Sequence, residues 1–181
     1  NNIINKMSEI LTKTEPDLIL LVGDRYEMLA VNTAALPFNI PLAHLHGGEK
    51  SLGSFDNRIR NALTKLCHLH FCATKQAYKR IIEMGENPIN VKWVGAPSLD
   101  NINANIFNFK KSIKKLKSKF DFLDTNDELI LVTYHSVTND FENEMNNIKD
   151  LFRALEKFQN KIIFTSPGFD PKNKVIHDNI I

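Results

Sequence analysis

Apolar positions along the chain recur in two alternating rhythms. Over 3–13, Ile3, Ile4, Met7, Ile10 and Leu11 fall at helical spacing on one face, and Pro16 stops that helix. Residues 18–22 (LILLV) then form a short unbroken apolar run, the pattern of a strand buried on both faces, and Gly23 breaks it. The alternation repeats as helix 25–36, a turn over 37–41, strand 41–45 (PLAHL), helix 55–66 (FDNRIRNALTKL) and strand 68–72 (HLHFC). A helix over 75–84 follows, with Thr74 as its N-cap, then a turn at 85–88 and strand 91–94 (VKWV). The rhythm lapses at GAPSLDNI (95–102) and through an Asn- and Lys-rich stretch to 127. It resumes with strand 128–133, helix 141–158, strand 161–165 and a last helix from 173.

Strands alternating with helices predict an α/β fold of parallel sheets with helices on both faces. The lapse divides the chain into two such units, a partial N-terminal one (1–102) and a partial C-terminal one (128–181), joined by a linker region (103–127). Both domains read as incomplete. The chain opens Asn1-Asn2 without an initiator Met and stops at Ile181 inside a helical pattern, as a fragment of a longer protein would.

Composition narrows the function. A net charge of +2 supplies no field for nucleic acid or a membrane surface. The basic excess is one local run, Lys110, Lys111, Lys114, Lys115, Lys117 and Lys119, which reads as a solvated helix face. No apolar run reaches the roughly 18 residues of a membrane span. Cys67 and Cys72 match no zinc spacing and read as buried free thiols in a reducing cytoplasm.

In sheets of this kind ligands bind beyond the carboxyl ends of the strands, so the strand tips are where chemistry is sought. Asp24, in GDRYE (23–27), is either a cap for the next helix or a functional acid, and Arg25 and Glu27 read as a surface pair. The next tip carries HGGE (46–49), where Gly47 and Gly48 permit close approach of a ligand and Glu49 projects toward the same crevice as Asp24. Asp56 and Arg60 share a helix face, so Arg60 is expected to fix the Asp56 carboxylate. His44, His68 and His70 read as structural, since a metal would need a third ligand at suitable geometry. His135 and Asp170 occupy the later tips, in TYHSVT (133–138) and TSPGFD (165–170). No GxGxxG, phosphate-loop lysine or nucleophile elbow occurs.

Taken together, GDRYEMLA (23–30), IPLAHLHGGE (40–49), DNRIRNALTKLCHLHFCAT (56–74), VGAPSLDNI (94–102) and LVTYHSVT (131–138) resemble the hydrolysing UDP-N-acetylglucosamine 2-epimerases. The resemblance runs from residue 10 to 181, and the HGGE form favours the hydrolysing branch. It implies the B-type glycosyltransferase fold, with two Rossmann-like domains flanking the active site. It also implies a UDP-sugar substrate, no metal or nicotinamide cofactor, a cytoplasmic homo-oligomer, and a place in sialic-acid-type sugar biosynthesis. By motif, Asp24, Glu49, Asp56 and His135 are the catalytic candidates, and Arg60, His46, Gly47, Gly48 and Asp170 the substrate-binding ones.

Two departures stand in the second domain: Ser136 where the family usually has Pro, and Gly168-Phe169-Asp170 where it has an Asn-Ala-Asp run. They suggest a different sugar, such as the diacetylated bacillosamine nucleotide. The family's amino-terminal strand with its Arg-containing loop, and its diphosphate-binding Gly-Asn-Ser-Ser-type loop, are not in the sequence, so weak UDP-sugar binding is expected. An inactive truncated product and a UDP-sugar glycosyltransferase are the competing readings.

Overall fold

The computed structural model describes residues 2–100, 114–120, 122–123, 128–135 and 143–166. The chain divides into two units, Asn1–Ala104 and Asn105–Ile181. The first unit runs α1 (Asn2–Thr14), β1 (Ile19–Val22), α2 (Tyr26–Ala35), β2 (Leu42–Leu45), α3 (Asp56–Leu66), β3 (Leu69–Cys72), α4 (Lys75–Glu83) and β4 (Val91–Trp93). Local chemistry fixes several boundaries. Pro16 disfavours helical backbone at the residue before it, and α1 ends at Thr14. The Thr74 hydroxyl accepts the Ala77 N–H at 3.1 Å and starts α4, as its sequence predicts.

The strands pair in parallel in the order β1-β2-β3-β4, with Leu21 opposite His44, His44 opposite His70, and His70 opposite Val91. Each crossover steps in the same direction, so right-handed connections lay α2, α3 and α4 on one face of the sheet. The core lies beneath them. Leu11, Leu21, Ala35, Leu42, Leu63 and Cys67 form one cluster, and Cys72, Ala77, Ile81 and Val91 another. This corrects two expectations. Among the described residues of this unit, helices occupy a single face, and 18–22 is not buried on both sides: Leu21 is 2% exposed, but Leu20 is 53% and Val22 52% exposed. The reason is the one-sided cover, because Leu20 and Val22 point to the sheet face without helices and Leu21 to the face beneath them.

The helix-covered face carries polar groups as well as apolar ones. His44 and His70, neighbours across β2 and β3, are both completely buried. Burial pushes both imidazoles below their ordinary value of 6.5. For His44 the raising influences are the Gly23 carbonyl and Asp24, with His70 and Arg60 adding to the lowering. For His70 they are the charge and hydrogen bond of Glu86, with Lys65 and His68 opposing. Burial likewise raises the Cys67 thiol to about 12 and the Cys72 thiol to about 11, leaving both protonated. His68 sits at the surface, where its Nδ1 accepts the Leu42 N–H at 3.2 Å.

The connection from β2 to α3 begins against α4. Gly48 has φ of +76°, and a Cβ there would lie 2.3 Å from the Ala77 carbonyl oxygen. A Cβ on Gly47 would meet His44 Nδ1 at 2.9 Å and Ile81 at 3.2 Å. The two glycines are therefore required by packing of the protein on itself. Gly48 also lines the pocket beside Glu49, so this packing demand stands alongside the expected place of the glycines at a ligand site.

In the second unit β5 (Leu129–Val132) and β6 (Lys161–Phe164) pair in parallel, joined through α5 (Glu144–Leu155). Phe152 of α5 packs on Phe164 with ring centroids 5.5 Å apart, and Ile148 is buried. Lys114 and Lys115 are exposed on a helical turn at 114–117. The expected helix from 173 lies outside the described residues. No helix among the described residues is long and apolar enough to cross a membrane.

Two measurements check this packing. Gly48→Ala combines backbone strain with a backbone clash and lowers unfolding free energy by about 2–5 kcal/mol, read from urea denaturation. Depressed histidine values mean that the unfolded chain binds more protons below 6.5. The contribution of His44 and His70 is therefore complete above pH 6.5 and is lost as pH falls. The urea midpoint should be flat from pH 8 to 7 and decline below 6.5, with a shallower decline in His70→Asn.

Candidate functional site

Arg60 organises the strand tips of the first unit. It lies on the inner face of α3 with Leu63 and Thr64 and is only 4% exposed. A buried guanidinium must be paired and hydrogen-bonded to persist there. Its Nη2 donates to the Asp24 carboxylate and, at 3.1 Å, to the Ser51 hydroxyl. Its Nη1 donates to the Glu49 carbonyl at 2.8 Å and to Asn57 Oδ1 at 2.9 Å. One side chain thereby ties the loop after β1 to the loop after β2.

Asn57, one turn before Arg60, completes the hold on that second loop. Its Oδ1 also accepts the Ser51 N–H at 2.8 Å, while its Nδ2 donates to the Ser51 carbonyl. The loop folds back tightly enough that His46 adopts φ of +68°. From there His46 Nδ1 contacts Glu49 Oε1 at 3.0 Å, so Glu49 is tied to Arg60 through its backbone and to His46 through its side chain. Both side chains stay partly exposed.

Several sequence expectations resolve on this geometry. Asp24 is no helix cap: Arg25 occupies the N-cap of α2 without a side-chain cap bond, and Asp24 turns to Arg60. Arg25 pairs with Glu27 at 3.2 Å, as expected. Arg60 does not fix Asp56. The Asp56 carboxylate accepts the Ser54 hydroxyl, whose oxygen in turn accepts the Asp56 N–H at 3.1 Å. The i,i+4 spacing had placed both on one face, but Arg60 is drawn inward to a carboxylate far away in sequence. His135 lies in the second unit just past β5 and is exposed. Asp170 lies outside the described residues.

Sequence reasoning missed Ser51 and Asn57. The signal for Asn57 was its place three residues before Arg60 on a helix facing a polar loop; nothing marked Ser51. A pocket of about 370 Å³, within the range of small-molecule sites, opens beside Glu49 and Lys50 on one side and Asn57, Asn61 and Arg80 on the other. Arg80 Nη1 donates to the Gly48 carbonyl at 2.9 Å, which braces the pocket's loop wall. The site thus offers an oriented carboxylate, a carboxylate–imidazole pair and a hydroxyl-bound carboxylate around one loop.

Comparison with known proteins sets this arrangement in a family. The chain is 36% identical over 173 residues to the GDP/UDP-N,N'-diacetylbacillosamine 2-epimerase (hydrolyzing) of Campylobacter jejuni, covering 94% of this chain and 44% of that protein. It is 35% identical over 173 residues to the UDP-N,N'-diacetylbacillosamine 2-epimerase (hydrolyzing) of Legionella pneumophila, covering 96% of this chain and 45% of that protein. The chain spans about half the length of the curated relatives it matches. Its fold matches that of the UDP-GlcNAc 2-epimerase from Neisseria meningitidis with a TM-score of 0.81, at 22% identity over 99% of this chain and 50% of that one. The sequence model described as UDP-N-acetylglucosamine 2-epimerase matches residues 1–181, and the chain belongs to that family.

Proposed function

We propose that the protein carrying this chain is a hydrolysing UDP-sugar 2-epimerase of the cytoplasm, converting UDP-N-acetylglucosamine to UDP and N-acetylmannosamine. The observation that supports this reading is the Asp24–Arg60–Glu49 arrangement, which gathers proton-handling groups at adjacent strand tips. In the first step a carboxylate takes the proton from sugar C2. The C–H electron pair becomes the C1=C2 bond of a glycal, and the C1–O bond breaks with UDP leaving. In the second step water adds, with hydroxide to C1 and a proton to C2 from the opposite face, which releases the 2-epimeric free sugar.

The partners of the carboxylates suggest a division of roles. Glu49 is the group to move the C2 proton, because its partly exposed carboxylate lines the pocket and is oriented by the His46 imidazole. Asp24, held by Arg60, is the acid that orients the sugar and serves the opposite face. Asp56, bound to the Ser54 hydroxyl, is the third catalytic candidate. His135 and Asp170 are assigned to the leaving nucleotide, whose developing charge needs hydrogen-bond donors or cations. Arg60 and His46 position the acids, and Gly47 and Gly48 serve by shaping the loop.

The names of the C. jejuni and L. pneumophila relatives favour a second substrate, UDP-N,N'-diacetylbacillosamine, for the same reaction. Both nucleotides are incubated with the protein in D2O and followed by proton and phosphorus NMR. The expected result is free 2-epimeric sugar deuterated at C2, together with UDP. Unchanged substrates, or transfer of the sugar to an acceptor without exchange at C2, overturn the reading. Glu49→Gln and Asp24→Asn should each lower kcat by about 10²–10⁴-fold. Arg60→Ala leaves Asp24 without its buried partner and should cost about 3 kcal/mol of stability in addition to activity.

A further inference from the structure

His44 has so far appeared only as a buried residue of β2, yet its ring reaches the turn that carries Asp24. Its Nε2 lies 2.8 Å from the Gly23 carbonyl oxygen. A carbonyl oxygen only accepts, so the ring must donate from Nε2. In the neutral imidazole Nδ1 is then a bare acceptor, and among the described residues it has no hydrogen-bond partner. Nδ1 faces Gly47 so closely that a Cβ there would be 2.9 Å away. The surroundings therefore accommodate one tautomer, with hydrogen on Nε2 and none on Nδ1.

The bond matters because of where Gly23 sits. Gly23 has φ of +83°, a left-handed turn with open space where a Cβ would stand, so side-chain packing does not hold the turn in place. Two bonds to β2 hold it instead. The Gly23 N–H donates to the Leu45 carbonyl at 3.0 Å, and the Gly23 carbonyl takes the His44 ring. The carbonyl belongs to the peptide that joins Gly23 to Asp24. Asp24 is consequently held at both ends, its backbone by His44 and its carboxylate by Arg60.

We propose that His44 is a positioning residue for the 2-epimerase reaction, its Nε2–H fixing the Gly23–Asp24 peptide so that the Asp24 carboxylate is aimed for proton transfer. This role rests on the reading of Asp24 as a catalytic acid. The geometric half can be tested without turnover.

Long-range proton–nitrogen NMR on the 181-residue chain identifies the His44 tautomer, and the carbon chemical shift of the Asp24 carboxyl reports its setting. The expected result is the Nε2–H tautomer from pH 6 to 8. The Asp24 signal should move in His44→Leu, which cannot donate, and return toward the wild-type position in His44→Gln, whose amide restores a donor. The Nδ1–H tautomer, or an Asp24 signal unmoved by His44→Leu, overturns the role. Because His44→Leu could fail to fold, the tautomer of the unsubstituted chain stands as an independent measurement.

In the active protein His44→Leu should lower kcat by about 10–100-fold with little change in KM, and His44→Gln should recover most of it. A merely structural histidine would show equal loss in both variants, following stability rather than donor chemistry, and that result also overturns the role. Full activity in Asp24→Asn would refute the catalytic assignment of Asp24 while leaving the measured His44–Asp24 coupling in place, so the two failures are distinguishable.

Discussion

A guanidinium buried to 4% exposure cannot be left unpaired, and much of the first unit's strand-tip region is arranged around that requirement at Arg60. Four acceptors from three chain segments converge on it: the Asp24 carboxylate, the Ser51 hydroxyl, the Glu49 carbonyl and the Asn57 side chain. Each acceptor fixes a different piece of backbone. Arg60 itself is anchored by α3, whose buried face also sets Leu63 and Thr64 against the sheet. The geometry of the acids thus inherits the rigidity of the core rather than the looseness of surface loops.

The glycines and the buried histidines extend the same logic. Gly48 brings the second loop into contact with the α4 backbone, and Gly47 brings it over His44. His44 in turn reaches the first loop, so that loop is joined to β2 by an imidazole and to the second loop by a guanidinium. Two different side chains, each anchored in a buried element, therefore hold the first loop.

How much of this could be read from the sequence follows from the range of the forces involved. α1, α4 and the strands were legible to within a residue or two because proline geometry, the Thr74 cap and apolar runs act locally. Asp24, Glu49 and Asp56 were named from motifs, and the fold sets them just after β1, in the loop after β2 and at the start of α3. Their partners were not legible in the sequence. Arg60 binds an aspartate 36 residues away rather than the one on its own helix, and the choice is made by burial, which sequence spacing does not encode. The packing demand on Gly47 and Gly48 was hidden for the same reason, since only the folded chain brings α4 against them. The solvent exposure of Leu20 and Val22 depends on which sheet face carries helices, a property of topology and not of the run LILLV.

The three similar carboxylates have unlike partners. Asp24 faces a guanidinium, which never gives up its proton, so the pair acts as a fixed charge and a fixed direction. Glu49 faces an imidazole, whose ring nitrogen orients its carboxylate. Asp56 faces a hydroxyl, which neither carries charge nor stores a proton. The proposed elimination and addition need a proton carrier on each face of the sugar, each held in place. In this fold the acids differ in what α3 and the loop after β2 place beside them, and not in themselves.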